Sequence, residues 1–276
     1  MGYSVSFLNM KGGVSKTTLC ASIGYYLANY LKMKILFIDL DPQFNLTQSY
    51  MNEYDQVERY LIEYRKEKNI RMIFTSVTSI TEKPKIPTPE EVIVSMDPFI
   101  DLIPGTIDLI FEDNNKNPAI VKRVKKFIAD NNLKEKYDFI FIDCPPTISM
   151  YTDAGLIASD YYLVPVRIDR YSILGMTLLN SVIDRLNSDE LSNVRPIGAV
   201  YTAVERNVTD KAKELMQKLE QSKDIRDIRI FSNRFYRNND LLYGKSGNIA
   251  TKYKRSFNDI KLISEEFLER INSDGQ

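Results

Sequence analysis

The sequence predicts an α/β fold with a mostly parallel, doubly wound sheet and helices on both faces. Short apolar runs alternate with longer stretches of helical periodicity, which is typical of consecutive βα units. Some runs are apolar at every position, as in residues 139–142 (FIFI), and this indicates strands covered on both faces. A chain of 276 residues is long enough for one such domain, so we expect a single domain over residues 1–276.

Strands and helices are predicted from these two patterns. The predicted strands are residues 3–8, 34–38, 100–103, 138–142, 161–166 and 197–201. The predicted helices are residues 16–31, 56–68, 119–131, 172–186, 210–221 and 259–271. The first helix is the clearest, because Leu19, Ile23, Leu27 and Leu31 recur at four-residue spacing. Residues 81–89 hold three prolines, so we expect a surface loop there.

The composition argues against several classes of protein. Apolar residues make up 43% of the chain and charged residues 27%, as in ordinary folded proteins. Histidine is absent and the two cysteines, Cys20 and Cys144, are far apart, so neither a structural zinc site, an iron–sulfur site nor a disulfide framework is expected. No apolar run reaches the roughly 20 residues that span a bilayer, and a strand pattern begins at once, without a signal peptide. We therefore expect a soluble, cytoplasmic protein.

Residues 11–18 (KGGVSKTT) have the features of a phosphate-binding loop. The glycines let backbone N–H groups turn towards anionic oxygens, and the helix that follows offers its positive N-terminal end. In such a loop Lys16 reaches the β and γ phosphates, and the Thr17 hydroxyl binds Mg²⁺. The alternative is a glycine turn with an incidental lysine, but strand, glycines, Lys-Thr and helix coincide here. The predicted nucleotide-binding residues are Lys11, Gly12, Gly13, Val14, Ser15, Lys16, Thr17 and Thr18.

Three carboxylates follow predicted strands, at the sheet edge where open α/β folds bind ligands. Asp143 ends an apolar strand and is predicted to hold Mg²⁺ through water. Asp39 and Asp41 end the second strand two residues apart, and so share a face if the chain stays extended. One of them should position or activate the attacking water. The alternative is that both are turn formers ahead of Pro42.

Several segments together resemble one family. They are residues 11–18, 38–46 (IDLDPQFNL), 102–108 (LIPGTID), 143–147 (DCPPT) and 164–175 (VPVRIDRYSILG). This set is similar to the ParA/MinD family of deviant Walker A ATPases, closest to short Soj-like ParA proteins, and it covers most of the chain. Lys11 resembles the signature lysine of that family. Met10 and Ser15 depart from the usual P-loop pattern, which has glycine at both positions.

The resemblance implies a weak ATPase that binds ATP or ADP with Mg²⁺. Lys11 would cross to the partner's nucleotide in an ATP-bound homodimer. Asp41 would be the hydrolytic residue, and Asp39 would support the Mg²⁺ shell. The implied catalytic residues are Lys11, Lys16 and Asp41, and the implied metal site comprises Thr17, Asp39 and Asp143.

The C-terminal third of the chain carries a local positive charge. Residues 195–255 hold fourteen Lys and Arg against seven Asp and Glu, although the whole chain is formally neutral. ParA-like relatives bind double-stranded DNA without sequence preference through such residues, while a solvated face is the alternative for any single one. Residues 231–237 (FSNRFYR) lie where relatives place an adenine-contacting loop, so Asn233 and Arg234 are alternatively assigned to the base. The candidate DNA contacts are Arg226, Arg229, Arg237, Lys252, Lys254 and Arg255.

The function that the resemblance implies is plasmid or chromosome partition. ATP would drive homodimerisation and nonspecific DNA binding, and a ParB-like centromere-binding adaptor would stimulate hydrolysis. The protein would then be cytoplasmic and associated with the nucleoid. Because the first strand begins near Tyr3, we expect no N-terminal helix-turn-helix extension of the kind found in longer plasmid relatives.

Three alternatives remain at this point. The first is a MinD-like or other cargo-positioning ATPase, but the last predicted helix is mixed to acidic on its polar face and is expected to pack on the domain, not on a membrane. The second is a nucleotide-dependent DNA-binding scaffold with little hydrolysis. The third is an iron–sulfur carrier of a related family, which the lack of paired cysteines disfavours.

Overall fold

In a computed structural model, residues 1–74, 86–112, 119–225 and 228–274 are described. Their strands are β1 Tyr3–Phe7, β2 Ile35–Asp39, β3 Val94–Asp97, β4 Ile100–Ile103, β5 Phe139–Asp143, β6 Tyr161–Arg167 and β7 Arg195–Thr202. Within the described ranges these form one seven-stranded sheet in the order β3-β4-β2-β5-β1-β6-β7. Neighbouring strands pair in parallel, except that β3 runs antiparallel to β4 at one edge. The predicted mostly parallel sheet is confirmed.

Helices cover both faces of this sheet. The longer ones are α1 Lys16–Leu31, α2 Asn45–Glu53, α3 Arg123–Asp130, α4 Met150–Ala158, α5 Ser172–Ser188, α6 Asp210–Glu220 and α7 Lys254–Asp274. Short α-helical turns are Val57–Arg59, Arg65–Glu67, Arg71–Phe74, Pro89–Val92, Leu133–Lys136 and Asn239–Leu242. A π-helix spans Tyr60–Tyr64, and 3₁₀ turns span Ile107–Phe111, Ile120–Lys122, Lys223–Ile225 and Ala250–Lys252. Apolar residues of α1, α2 and α7 form one core, and those of α3, α4, α5 and α6 form the other.

The helix α1 lies directly against the middle of the sheet. Every residue of β2 and β5 is buried, as the continuous apolar runs predicted. Gly24 makes the close approach of α1 possible, because a Cβ atom there would lie 2.2 Å from Cζ of Phe37. The start of α1 at Lys16, next to the phosphate-binding loop, is therefore fixed by packing against the central strands.

Some elements differ from the sequence prediction. The strand β3 and the helices α2 and α4 were not predicted, and the predicted helix 56–68 is interrupted by the π-helix. In the predicted loop 81–89, residues 81–85 lie outside the described residues, and Pro89 begins a short helix. Proline is favoured in the first turn, and Thr88 and Glu91 form a capping box around it.

The last helix, α7, packs on the sheet as predicted. Its residues Ile260, Ile263, Phe267 and Ile271 are at most 2% exposed. The Phe267 ring lies 5.3 Å from that of Phe139, measured between centroids. The apolar face that a membrane-targeting helix would present is thus buried in the core. No helix in the part of the chain that the structure describes is long and apolar enough to cross a membrane.

Candidate phosphate-binding site

The loop between β1 and α1 has the backbone of an anion-binding nest. Gly13, with φ of 70°, and Ser15, with φ of 65°, both adopt the left-handed conformation. Left-handed residues within such a turn direct successive N–H groups into one concavity. Serine at this position costs about 1–2 kcal/mol more than glycine would. Ser15 therefore keeps the backbone geometry for which P-loops use glycine.

Two hydrogen bonds hold this loop on the strands beside it. The Thr202 hydroxyl, at the end of β7, donates to the carbonyl oxygen of Val14 at 2.9 Å. The Asn9 side-chain amide donates to the carbonyl oxygen of Pro165 in β6 at 2.8 Å. Both donors are almost fully buried, Thr202 at 1% and Asn9 at 3% exposed. These two hydrogen bonds thus fix the loop on β6 and on the end of β7.

Lys16 lies at the base of the loop, as the motif predicts. Its side chain is buried, with the residue 7% exposed, and its ammonium group lies 3.4 Å from the Lys11 carbonyl oxygen. Desolvation lowers the pKa of Lys16, while the charges of Asp143 and Asp41 oppose this shift. A buried cation with few hydrogen-bond acceptors near it is stabilised when an anion enters the loop.

Thr17 and Asp143 meet beside Lys16 and fit a magnesium site. The Thr17 hydroxyl donates to Oδ2 of Asp143 at 2.6 Å. Asp143 is fully buried, and its other oxygen, Oδ1, has no hydrogen-bond partner within the described residues. Burial is the main cause that raises the pKa of Asp143, and the neighbouring Asp39 raises it further. A hydroxyl next to a carboxylate oxygen without a partner is a donor set that suits hydrated Mg²⁺.

Asp39 and Asp41 have different surroundings. Asp39 is fully buried and accepts N–H groups of Asp41 (3.2 Å) and Thr47 (2.9 Å) and the Thr47 hydroxyl (2.7 Å). Burial raises its pKa to about 7. Asp41 is 6% exposed, accepts the N–H of Gln43 at 2.9 Å, and acts electrostatically on Lys16. Asp41 therefore acts on the lysine at the base of the loop, whereas both oxygens of Asp39 accept hydrogen bonds from within the chain. A role of Asp39 in the Mg²⁺ shell stays a prediction.

Lys11 lies at the rim of the site. Its ammonium group forms an ion pair with Asp169, and the two side chains are 26% and 37% exposed. Asp169 precedes α5 and also accepts the N–H of Tyr171 at 2.8 Å. Lys11 and Asp169 are separated by 158 positions, so local patterns did not predict this pair, although both residues lie in the segments that resemble the family. Lys11 is thus held by an ion pair within its own chain.

A cavity of about 350 Å³ opens beside the loop. It is lined on one side by the loop and on the other by residues that follow β7. The lining residues include Gly13, Thr18, Arg167, Arg237, Asn238 and Leu241. A concave space with an apolar wall and a few polar groups, next to a phosphate site, has the form of a nucleoside pocket.

The structure does not bring Asn233 and Arg234 to this cavity. The side-chain amide of Asn233 donates to Glu266 of α7 at 2.8 Å. Arg234 lies over the Tyr201 ring, 5.8 Å from its centroid. The predicted segment 231–237 does reach the cavity through its last residues, of which Arg237 is one. The assignment of Asn233 and Arg234 to the base stays a prediction.

The candidate DNA contacts do not form a single cluster. Arg229 lies near the end of α7, because its carbonyl oxygen accepts a guanidinium N–H of Arg270 at 3.0 Å. Lys254 and Arg255 begin the same helix, about 24 Å away at 1.5 Å per residue. Arg226 lies outside the described residues. A DNA surface would therefore be centred on one end of α7.

Within the group near the start of α7, some cations are already paired. Lys252 forms an ion pair with Glu53, and Arg237 pairs with Glu205 at 3.0 Å. Lys254 and Arg255 are exposed, and no carboxylate pairs with either of them among the described residues. These two are the cations most accessible to an external anion.

Comparison with known proteins finds similar proteins over most of the chain. A family model described as an AAA domain matches residues 3–195. The chromosome-partitioning ATPase Soj of Treponema pallidum is 30% identical over 79% of this chain and 78% of its own. The sporulation initiation inhibitor protein Soj of Bacillus subtilis is 33% identical over 66% and 65%. A putative plasmid partition protein of Borrelia burgdorferi, solved bound to AMPPNP, has the same fold, with a TM-score of 0.76, 22% identity, and coverage of 98% of this chain and 99% of its own.

The conformation of Ser15 predicts the sign of a stability change. In Ser15→Gly, loss of the left-handed penalty of about 1–2 kcal/mol outweighs the extra unfolded-state entropy of glycine, about 0.5–1 kcal/mol. We expect the free energy of unfolding in urea to rise by up to about 1 kcal/mol. Ser15→Ala keeps the penalty and serves as the control, with no expected gain. A lower stability for Ser15→Gly would contradict the left-handed geometry.

Proposed function

The chain belongs to the ParA/MinD family of P-loop ATPases, and we propose that ATP binding closes it into a homodimer that binds DNA without sequence preference. Hydrolysis, stimulated by a ParB-like centromere-binding adaptor, returns the dimer to monomers, and the cycle serves plasmid or chromosome segregation. The observation that carries this proposal is the combination of a complete phosphate-binding loop with Lys11 at its rim. The ATP-bound protein would then be associated with the nucleoid.

The triphosphate is assigned to the nest of residues 12–15, with Lys16 at its base. Among the described residues, the Lys16 ammonium group has one close acceptor, a carbonyl oxygen at 3.4 Å, so phosphate oxygens would supply the negative charge that this buried cation needs. Thr17 and Asp143 would hold Mg²⁺, which neutralises phosphate charge when bound. The base and ribose are assigned to the cavity beside Thr18 and Arg237.

Asp41 is assigned to the attacking water. It is nearly buried, its carboxylate has one defined internal donor, Gln43 N–H at 2.9 Å, and its charge faces Lys16. A carboxylate in this position orients water and does not need to bind the phosphates itself. Phosphoryl transfer depends mainly on positioning and charge neutralisation, so the geometry of Asp41 should govern the rate.

Lys11 is assigned to the partner's nucleotide in the dimer. In the single chain its ammonium group is paired with Asp169 at the rim, 26% exposed, and not with the groups around Lys16. An exposed pair of this kind contributes little stability, about 0–1 kcal/mol, so dimerisation can release it. The site of one chain would thus be completed by a cation from the other.

The DNA surface is assigned to the start of α7. Lys254 and Arg255 occupy the first turn, and no acidic residue lies there. Cations at a helix N-terminus are unfavourable by about 0.3–1 kcal/mol, because the helix dipole is positive at that end. Exposed cations suit the phosphate backbone of DNA. A membrane-binding function of the MinD type is not favoured, because the apolar face of α7 is buried.

Replacing Lys16 tests the nucleotide site. Lys16→Ala removes the only lysine at the base of the loop, so ATP affinity measured by titration calorimetry should become undetectable. Burial lowers the pKa of Lys16, which means that the charged side chain weakens the ligand-free fold. The thermal midpoint should therefore stay the same or rise. Affinity retained within about tenfold of wild type, a difference of ~1.4 kcal/mol, would argue against this site.

Replacing Lys11 tests the role across the dimer. Lys11→Ala should bind ATP as a monomer with little change, because the Lys11 ammonium group is paired with Asp169 at the rim of the site in its own chain. Light scattering after size exclusion should show ATP-dependent dimers for wild type and monomers for the variant. Lys211→Ala, an exposed lysine of α6, is the control and should dimerise normally. Unchanged dimers of Lys11→Ala would refute the assignment.

Replacing two cations tests the DNA surface. Lys254→Ala/Arg255→Ala removes two contacts per chain and four per dimer, so the slope of log K against log salt should become less steep by about 3.6. Anisotropy with a random duplex, in ATP and in ADP, measures this slope. The control is Lys122→Ala/Lys125→Ala, two exposed lysines on the other layer. An equal loss for both pairs, or no loss for the first, would exclude the start of α7.

A further inference from the structure

A buried network joins the loop after β2 to the loop after β4. Its centre is Thr47, in the first turn of α2, which is fully buried. The Thr47 hydroxyl donates to Oδ2 of Asp39 at 2.7 Å and accepts the N–H of Gly105 at 2.7 Å. The Thr47 backbone N–H donates to the same Asp39 oxygen at 2.9 Å. One side chain therefore holds two loops that are 58 positions apart in the chain.

The Gly105 end of this network is tightly packed. A Cβ atom at Gly105 would lie 2.8 Å from Cγ of Asp39 and 3.0 Å from Cβ of Phe44. The carbonyl oxygen of Gly105 accepts the Tyr60 hydroxyl at 2.9 Å, and the Tyr60 ring stacks on Phe44 at 5.9 Å between centroids. Phe44 has a φ of 44°. The segment between Asp41 and α2 is therefore enclosed by the loop after β4.

The other end of the network reaches Asp41. The second oxygen of Asp39, Oδ1, accepts the Asp41 backbone N–H at 3.2 Å. Asp41 in turn accepts the N–H of Gln43, and its carbonyl oxygen accepts the N–H of Phe44 at 2.8 Å. The direction of the Asp41 carboxylate thus depends on where Asp39 lies. Asp39 is itself fixed by two of its three donors through Thr47.

We propose that Thr47 is a positioning residue for hydrolysis, acting through Asp39 on the carboxylate of Asp41. This inference rests on the proposed hydrolytic role of Asp41. The Thr47 hydroxyl donates to Asp39 and accepts from Gly105, and among the described residues it forms no hydrogen bond with the phosphate-binding loop. Loss of the hydroxyl leaves the buried Gly105 N–H without its partner and removes one of the two Thr47 hydrogen bonds to Asp39. The Asp41 loop can then shift, whereas the binding loop stays in place.

The test is the pair Thr47→Val and Thr47→Ser. Valine has nearly the same volume but no hydroxyl, so kcat for ATP should fall on the order of 10- to 100-fold, as expected for a misplaced catalytic group. The KM for ATP should change by less than about twofold, because binding and positioning are separate here. Serine keeps the hydroxyl and should restore most of the rate. Wild-type kcat in Thr47→Val, or a loss confined to KM, would overturn the proposal.

A double variant separates positioning from a general loss of structure. If Thr47 acts through Asp41, then adding Thr47→Val to Asp41→Ala should lower the residual rate by less than about twofold, because effects within one network are not additive. A further full-sized loss in the double variant would show that Thr47 acts elsewhere. Ser264→Ala is the control for removing a buried hydroxyl: it lies in α7, donates to the Ile260 carbonyl oxygen at 2.7 Å, and should leave kcat unchanged.

Two further measurements keep the outcome decisive. If Thr47→Val does not fold, as judged by circular dichroism, Tyr60→Phe loosens Gly105 from its other side and should lower kcat at constant KM; full activity would overturn the proposal. Wild-type protein that hydrolyses no ATP in the same assay, with or without DNA, would refute the proposed function itself. An active wild type with an equally active Thr47→Val would refute only the positioning role.

Discussion

The arrangement of the site depends on the burial of one ammonium group among carboxylates at the sheet edge. Lys16 is 7% exposed, and the nearby Asp143 and Asp39 are fully buried. Desolvation favours the neutral form of each group, so it lowers the pKa of Lys16 and raises the pKa values of Asp39 and Asp143. The charges of this cluster compensate one another only in part, and a phosphate chain with Mg²⁺ would supply the missing charges. The fold keeps these groups together because β1, β2 and β5 are adjacent parallel strands.

Around this cluster, hydrogen bonds from distant segments fix the loops. Thr202 holds Val14, Thr47 holds Asp39 and Gly105, and Lys11 pairs with Asp169. The first two contacts are buried and therefore rigid, while the third is at the rim and partly exposed. The difference suits the proposed cycle, in which the binding loop stays constant and the rim contact exchanges between the single chain and the dimer.

Much of the fold could be predicted from periodicity alone. Helix α1 has the predicted bounds because a long amphipathic segment follows a glycine loop. The strands β2 and β5 were found because each is apolar up to its final aspartate. The helices α2 and α4 were missed because each is only nine residues long, with a weak pattern of its own, and is held by tertiary contacts. The strand β3 is four residues long and exists only by pairing with β4.

The amino-acid sequence was enough to predict a phosphate-binding loop, because residues 11–18 are contiguous and strand, glycines, Lys-Thr and helix coincide there. It also determined that Asp41 and Asp143 lie at the same sheet edge, since both follow strands of a parallel sheet. Tertiary contacts settled how these groups are held. Ser15 adopts the glycine conformation, Asp39 accepts hydrogen bonds from Thr47, Asn233 donates to Glu266, and Arg234 lies over the Tyr201 ring. The physical reason is that these positions depend on contacts between segments far apart in the chain, and local patterns carry no information about such contacts.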